Sequence, residues 1–234
     1  MFVAEDICEV RGLGVLCYVI REQSHLYLID SGFVGGVGFL RRTLNEAGWS
    51  GLELRGILLT HGHLDHTLNL TKLQQVFGAW IAAPREDATH ILGTYPYKGF
   101  SRLCGLLESI GRPLLRYRPC APARWFTEGD EFPLLGGLRV IGLPGHTAGH
   151  VGFYSPARRL LFCADLFASF RFFPHLPPRF LNTSQSELYR SISKVLAMDL
   201  EGLLPNHGNP ASPAVHLARF RKLAVRKGIE AEKS

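Results

Sequence analysis

The segment Thr60-His61-Gly62-His63-Leu64-Asp65-His66 follows directly on the apolar run Ile57-Leu58-Leu59, and it restricts the fold more than any other part of the chain. It offers three imidazoles and a carboxylate, the donors that a borderline divalent ion such as zinc prefers. Zinc needs several ligands converging on one point, and one tight turn cannot aim all of these at a single ion. His61 and His63, alternate residues leaving a strand end, can point the same way, whereas Asp65 and His66 lie on the next turn and suit a second ion. Two ions need more ligands than this turn holds, so other segments must bring them on a rigid scaffold.

The rest of the chain supplies them in similar settings. His146 lies in Gly142-Leu143-Pro144-Gly145-His146-Thr147-Ala148-Gly149-His150, after the apolar segment 138–143, where glycines permit a tight turn. Asp165 ends Leu160-Leu161-Phe162-Cys163-Ala164-Asp165, and His207 ends Leu203-Leu204-Pro205-Asn206-His207. Each is read as following an apolar strand at its C-terminal end. Strands are expected near 7–10, 15–20, 26–29, 57–59, 79–83, 138–143, 151–154, 160–164 and 203–204, with helices over 37–47 and 68–77. Ser184-Gln185-Ser186-Glu187 reads as a capping box opening a helix whose stripe is Leu188, Ile192, Val195 and Leu196. Alternating strands and helices make an α/β class.

These elements together resemble the metallo-β-lactamase-fold hydrolase superfamily, whose signature is a His-x-His-x-Asp-His loop followed by a distant His, Asp and His. The match runs from about Cys8 to the C-terminus with the motifs in family order. The resemblance implies a four-layer αββα sandwich and a pair of divalent ions, zinc with iron or manganese as substitutes. It places His61, His63 and His146 on the first metal, Asp65, His66 and His207 on the second, and Asp165 as the bridge. Asp30, in Leu28-Ile29-Asp30-Ser31-Gly32, matches an aspartate that buttresses the metal loop, and His150 matches a hydrogen-bonding histidine. The implied chemistry is hydrolysis by a metal-bridging hydroxide, because metal binding lowers the pKa of water from ~15.7 to near 7. Asp65 is the residue expected to orient that nucleophile and carry its proton. No GxSxG nucleophile motif is present.

Departures from subfamily patterns narrow the substrate to a small ester, thioester or lactone. Penicillin-degrading relatives usually have cysteine, or no ligand, where this chain has Asp165, which lowers the β-lactamase alternative. Glyoxalase II enzymes resemble the segment from Gly145 to His150 but carry a long helical region after the last histidine, whereas 27 residues follow His207 here. Lactonases of acyl-homoserine lactones commonly place tyrosine at Ala168, and flavodiiron proteins place glutamate at His63. A mononuclear iron persulfide dioxygenase keeps the whole motif and stands as an alternative, as does a metal-dependent phosphodiesterase or ribonuclease.

With 46% hydrophobic residues, the 234-residue chain reads as a single domain over residues 1–234. No apolar run approaches the roughly 20 residues that span a bilayer, and Glu5, Asp6 and Glu9 lie where a signal peptide would be apolar. The odd set Cys8, Cys17, Cys104, Cys120 and Cys163 reads as reduced thiols, and a cytoplasmic location is expected. Alternation points Cys163 to the side of Asp165, with buried structural cysteine as its role. His25, His90 and His216 read as surface or satisfied core histidines. The net charge of +6 concentrates at Arg112, Arg116, Arg118 and Arg124 and at Arg219, Arg221, Lys222, Arg226 and Lys227. In the tail these cations interleave Leu217, Phe220, Leu223 and Ala224 at helical spacing, a solvated amphipathic helix, so nucleic acid is not the expected partner and a small molecule is.

Two further segments are expected to shape the substrate pocket. The aromatic run 167–178, with Phe167, Phe170, Phe172 and Phe173, leaves Asp165 directly and reads as an apolar wall, although packing onto the core would use the same residues. Segment 93–119, with Tyr95, Tyr97, Phe100, Leu103, Leu106, Leu107 and Ile110, reads as an inserted helical element serving as a cap or as a homodimer interface.

Overall fold

The computed structural model of the protein describes residues 1–94 and 97–232; Tyr95 of the inserted segment lies outside them. The chain divides into two units, Met1–Pro96 with Gly105–Phe126, and Tyr97–Cys104 with Thr127–Ser234. Each is built on its own sheet.

Unit one holds β1 (Phe2–Ala4), β2 (Ile7–Arg11), β3 (Leu16–Glu22), β4 (His25–Ile29), β5 (Glu53–Leu58), β6 (Trp80–Pro84) and β7 (Arg124–Phe126), paired in chain order. The first four strands are antiparallel, and β4 to β7 are parallel. The change follows the connections. Short turns join β2, β3 and β4, whereas parallel neighbours need crossovers, supplied by α1 (Gly36–Glu46), by α2 (Leu64–Thr67) with α3 (Leu70–Phe77), and by α4 (Ala88–Ile91) with α5 (Arg102–Leu114). Val37, Leu40 and Leu44 of α1 and Leu70 and Leu73 of α3 bury against Cys17, Val19, Leu26, Leu28, Ile57 and Ile81. The alternate residues Leu16, Tyr18, Ile20, Ile29 and Leu58 are buried too, which is why these strands read as unbroken apolar runs.

Unit two holds β8 (Glu131–Phe132), β9 (Leu138–Gly142), β10 (Val151–Ser155), β11 (Leu160–Ser169) and β12 (Gly202–Gly208), in the order β12-β11-β10-β9-β8. Only β11 and β12 are parallel, and α6 (Gln185–Ala197) makes their crossover. Leu188, Ile192 and Val195 of the expected stripe are buried, with Leu196 packed at their edge. Helix α7 (Pro213–Lys227) buries Leu217, Phe220, Leu223 and Ala224 and exposes Arg221, Lys222, Arg226 and Lys227, as its spacing indicated. The capping box is half made. Ser184 Oγ accepts from the Glu187 amide at 3.3 Å, but the Ser184 amide donates to the Gly145 carbonyl instead of to Glu187.

β11 departs from its expected end. It continues past Asp165 to Ser169, because pairing with β12 resumes beyond a bulge, with Ala168 opposite His207 and Ser169 opposite Gly208. Ala164 sits in that bulge with φ of 45°. Alternation therefore does not carry from Cys163 to Asp165, and Cys163 packs among Leu161, Phe167 and Leu188 in the helix-facing core. All five cysteines are free and buried.

Candidate metal centre

In unit one, β5 ends at Leu58 and the chain passes through Thr60 to His63 before α2 turns. His61, His63 and His66 are buried, and Asp65 is half-buried. The His61 ring lies 4.9 Å from His63 and 4.1 Å from His66, centroid to centroid, and Asp65 Oδ2 is 3.7 Å from His66 Nε2. Behind them stands Asp30, fully buried with φ of 61°, a left-handed conformation that aspartate tolerates better than most residues. Its carboxylate accepts from the Thr60 amide and hydroxyl, both at 2.8 Å, and from His66 Nδ1 at 2.9 Å. With Nδ1–H committed to a carboxylate, His66 presents its lone pair on Nε2, the arrangement common to metal-ligating histidines. The same surroundings push the Cys17 thiol pKa well up, first by burial and then by the charges of Asp30 and Asp65. Dry surroundings with negative charge favour a cation.

In unit two, Gly145 opens the turn that carries His146. Its φ is 128°, and a Cβ there would sit 2.1 Å from the Leu188 amide nitrogen, so only glycine lets the turn lie against α6. His146 Nδ1 donates to Asn182 Oδ1 at 3.0 Å, and Asn182 is itself oriented by donating to Pro177 O and Gln185 Oε1. His150 Nδ1 donates to the Leu143 carbonyl at 2.8 Å, and its Nε2 accepts the Asp165 amide at 3.2 Å. That is the structural role expected of His150. Asp165 Oδ2 lies 3.3 Å from His146 Nε2 and 3.1 Å from His207 Nε2, one oxygen between two imidazoles. The expected ligands thus gather as His61, His63, Asp65 and His66 in one unit and His146, Asp165 and His207 in the other. Imidazole nitrogens anchored from behind, with carboxylates beside them, are a donor set that fits divalent transition ions.

The His-rich turn is also held from its other side. Its Gly62 amide donates to Asp87 at 2.8 Å and its Leu64 amide to Glu108 Oε1 at 2.9 Å. Glu108 pairs with Arg112 at 2.8 Å, and Arg112 donates to the carbonyls of His90 at 3.1 Å and Gly62 at 3.4 Å while lying over the Tyr117 ring. A Cβ on Gly62 would stand 2.4 Å from His90 Cβ, so the turn and α4 are in tight contact. Of the mid-chain cations, Arg112 is buried, and Arg116, Arg118 and Arg124 are exposed.

Of the aromatic run, Phe167 is not pocket wall. It is buried at the end of the extended β11, with its ring 5.2 Å from Phe220. Phe170, Phe173 and His175 stack instead on one another within 20° of parallel, and Phe172 and Phe173 are exposed. His216 is buried, shares a 2.6 Å hydrogen bond with Ser169, and has its pKa pushed down to about 4 by burial and by Arg219. His90 is buried as well, and His25 is half-buried beside Glu53. The supporting groups Thr60, Asp87, Glu108, Arg112 and Asn182 had no sequence signal of their own, except that Asn182 lies just before the legible cap at Ser184.

The profile of the metallo-beta-lactamase superfamily matches residues 10–207. The chain is 29% identical over 164 residues to the hydroxyacylglutathione hydrolase GloC of Haemophilus influenzae, a match that is 69% of this chain and 70% of that protein. It is 31% identical over 149 residues to a hydroxyacylglutathione hydrolase of Aeromonas hydrophila, 63% of this chain and 44% of that one. Among solved structures, a metallo-beta-lactamase family protein of Thermus thermophilus superposes with a TM-score of 0.73 at 19% identity, over 97% of this chain and 81% of its own. That likeness is one of fold.

Proposed function

The chain belongs to the metallo-beta-lactamase superfamily, a metal-dependent hydrolase by that membership, and from this premise we propose a dinuclear enzyme that cleaves a small thioester. His61, His63 and His146 would hold one ion and Asp65, His66 and His207 the other, with Asp165 a ligand that both would use. The observation that carries the assignment is Asp165 Oδ2, placed between an imidazole of each set. When bound, the ions supply a water deprotonated near neutral pH and a Lewis acid for the acyl oxygen. The protein does the rest. Asp30 and Asn182 fix the tautomers of His66 and His146, His150 holds the backbone of Asp165, and Asp65, the more exposed carboxylate, would accept a proton from the attacking water.

Thioester is favoured over oxygen ester and lactone by the hydroxyacylglutathione hydrolases among the relatives, those of Haemophilus and Aeromonas included. The match to the Haemophilus protein covers nearly equal fractions of both chains, so the two are of similar length. The stacked Phe170 and Phe173 give the substrate an apolar surface, worth about 1 to 3 kcal/mol of selectivity per contact. The test is metal analysis of the native protein with a panel of hydroxyacyl thioesters, oxygen esters, lactones and a β-lactam. Two ions per chain with thioesters preferred is the expected result, and Asp65→Asn should lower kcat far more than it raises KM. One ion per chain, or activity confined to another class, refutes the proposal.

A further inference from the structure

Helix α5 is built inside out. A surface helix normally buries an apolar stripe and turns its polar face to water. Here Cys104, Glu108 and Arg112 are buried, while Leu103, Leu106, Leu107, Ile110 and Leu114, on one stripe by helical spacing, are between 44 and 77% exposed. Phe100, just before the helix, is 68% exposed. The inward polarity has its reason in the Glu108 and Arg112 bonds to the His-rich turn. Among the described residues the outward face is left open to solvent, and an apolar patch of this kind marks an interaction surface.

The charges around it decide what covers it. Between residues 88 and 127 the only acidic side chain is Glu108, and it is buried against Arg112. The exposed charges beside the helix are cations: Lys98 and Arg102 at its start, and Arg116 and Arg118 just past its end. A second copy packed about a two-fold axis would bring these cations together with no acid in the segment to answer them. An anionic surface answers all of them. Leucine, isoleucine and phenylalanine entering the acyl boundary while lysine and arginine reach the headgroups is how an interfacial helix binds, and a helix of 13 residues, about 20 Å long, is sufficient for it.

We propose that the exposed face of α5 docks on the surface of an anionic bilayer, with Phe100, Leu103, Leu106, Leu107, Ile110 and Leu114 inserted and Lys98, Arg102, Arg116 and Arg118 on the headgroups. The docking is peripheral: no helix among the described residues is long and apolar enough to cross a membrane.

The test is sedimentation of the full-length protein with vesicles of phosphatidylcholine alone and of phosphatidylcholine mixed with phosphatidylglycerol. Binding is expected to the anionic vesicles, weakly or not at all to the neutral ones, and to fall at least about tenfold when salt is raised to ~0.5 M. Leu107→Asp with Ile110→Asp removes the inserting side chains, and Arg102→Glu with Arg116→Glu reverses the rim. Each pair should reduce binding to anionic vesicles at least about tenfold while circular dichroism and bound metal stay unchanged. No binding to anionic vesicles at low salt, or binding that neither pair disturbs, overturns the proposal. So does a concentration-dependent dimer in sedimentation velocity that Leu107→Asp with Ile110→Asp abolishes, since a second copy then covers the face.

Discussion

His66 owes its orientation to Asp30, and Asp30 has little freedom to give. It is fully buried in a left-handed conformation, and both its oxygens are engaged, one by the Thr60 amide and the other by the Thr60 hydroxyl and His66 Nδ1. Asp30→Ala should therefore lower metal affinity about 10- to 100-fold, the usual cost of losing a group that orients a ligand. Competition with a chromophoric chelator measures it, and unchanged affinity would reduce Asp30 to a packing residue. His216 makes a different prediction, on stability alone. It is buried and touches Ser169, and its pKa of about 4 lies below the ordinary value of 6.5. Between those values the unfolded chain takes up a proton that the folded chain refuses, so the stabilisation is complete above about pH 6.5 and is lost as pH falls toward 4. The loss is on the order of 2 kcal/mol. Urea midpoints from pH 7 to pH 4 should fall less steeply for His216→Gln than for the wild type; parallel curves would show that His216 is not the group responsible.

At the scale of elements, α5 makes the sharpest prediction, because its buried ion pair supports the turn that carries the histidines. Glu108→Ala strands the Arg112 guanidinium and leaves the Leu64 amide without its acceptor, so a loss of about 3 to 5 kcal/mol is expected. Replacing both partners, Glu108→Met with Arg112→Leu, should cost less than that single change, and denaturant unfolding of the two proteins compares them directly. A double variant less stable than Glu108→Ala contradicts the account. This pair also marks the boundary of what was legible in the primary structure. Segments with a period, such as the stripes of α6 and α7 or the apolar runs of β3 and β11, could be read because burial repeats at the spacing of the element. The candidate ligand residues also stand out there, because their types and order are unusual. The supports could not: Glu108 meets Leu64 and Asn182 meets His146 across tens of residues, and nothing local distinguishes them from surface polar groups. The end of β11 was missed for a related reason. An apolar strand carrying an aspartate reads as ending there, whereas the bulge at Ala164 lets pairing resume and takes Phe167 into the core.

For the whole molecule, the proposed ligands fall in two units, His61, His63, Asp65 and His66 in the first and His146, Asp165 and His207 in the second. Under the proposed assignment each ion takes donors from segments far apart in the sequence, which only the folded chain holds in place. Binding is then selective for the folded chain, and metal stabilises it by mass action, about 2.7 kcal/mol for one site at a hundredfold excess over Kd. For a chain of this size about 2 to 4 °C of Tm accompanies each kcal/mol. Stripping the protein with a chelator should thus lower Tm by at least about 5 °C, and zinc should restore it. His61→Ala and His207→Ala should each lose a large part of that gain, and Asp165→Ala more than either, because the proposal has it serve both ions. A Tm indifferent to chelator, or a gain that survives Asp165→Ala in full, would show that these residues do not hold the stabilising metal together.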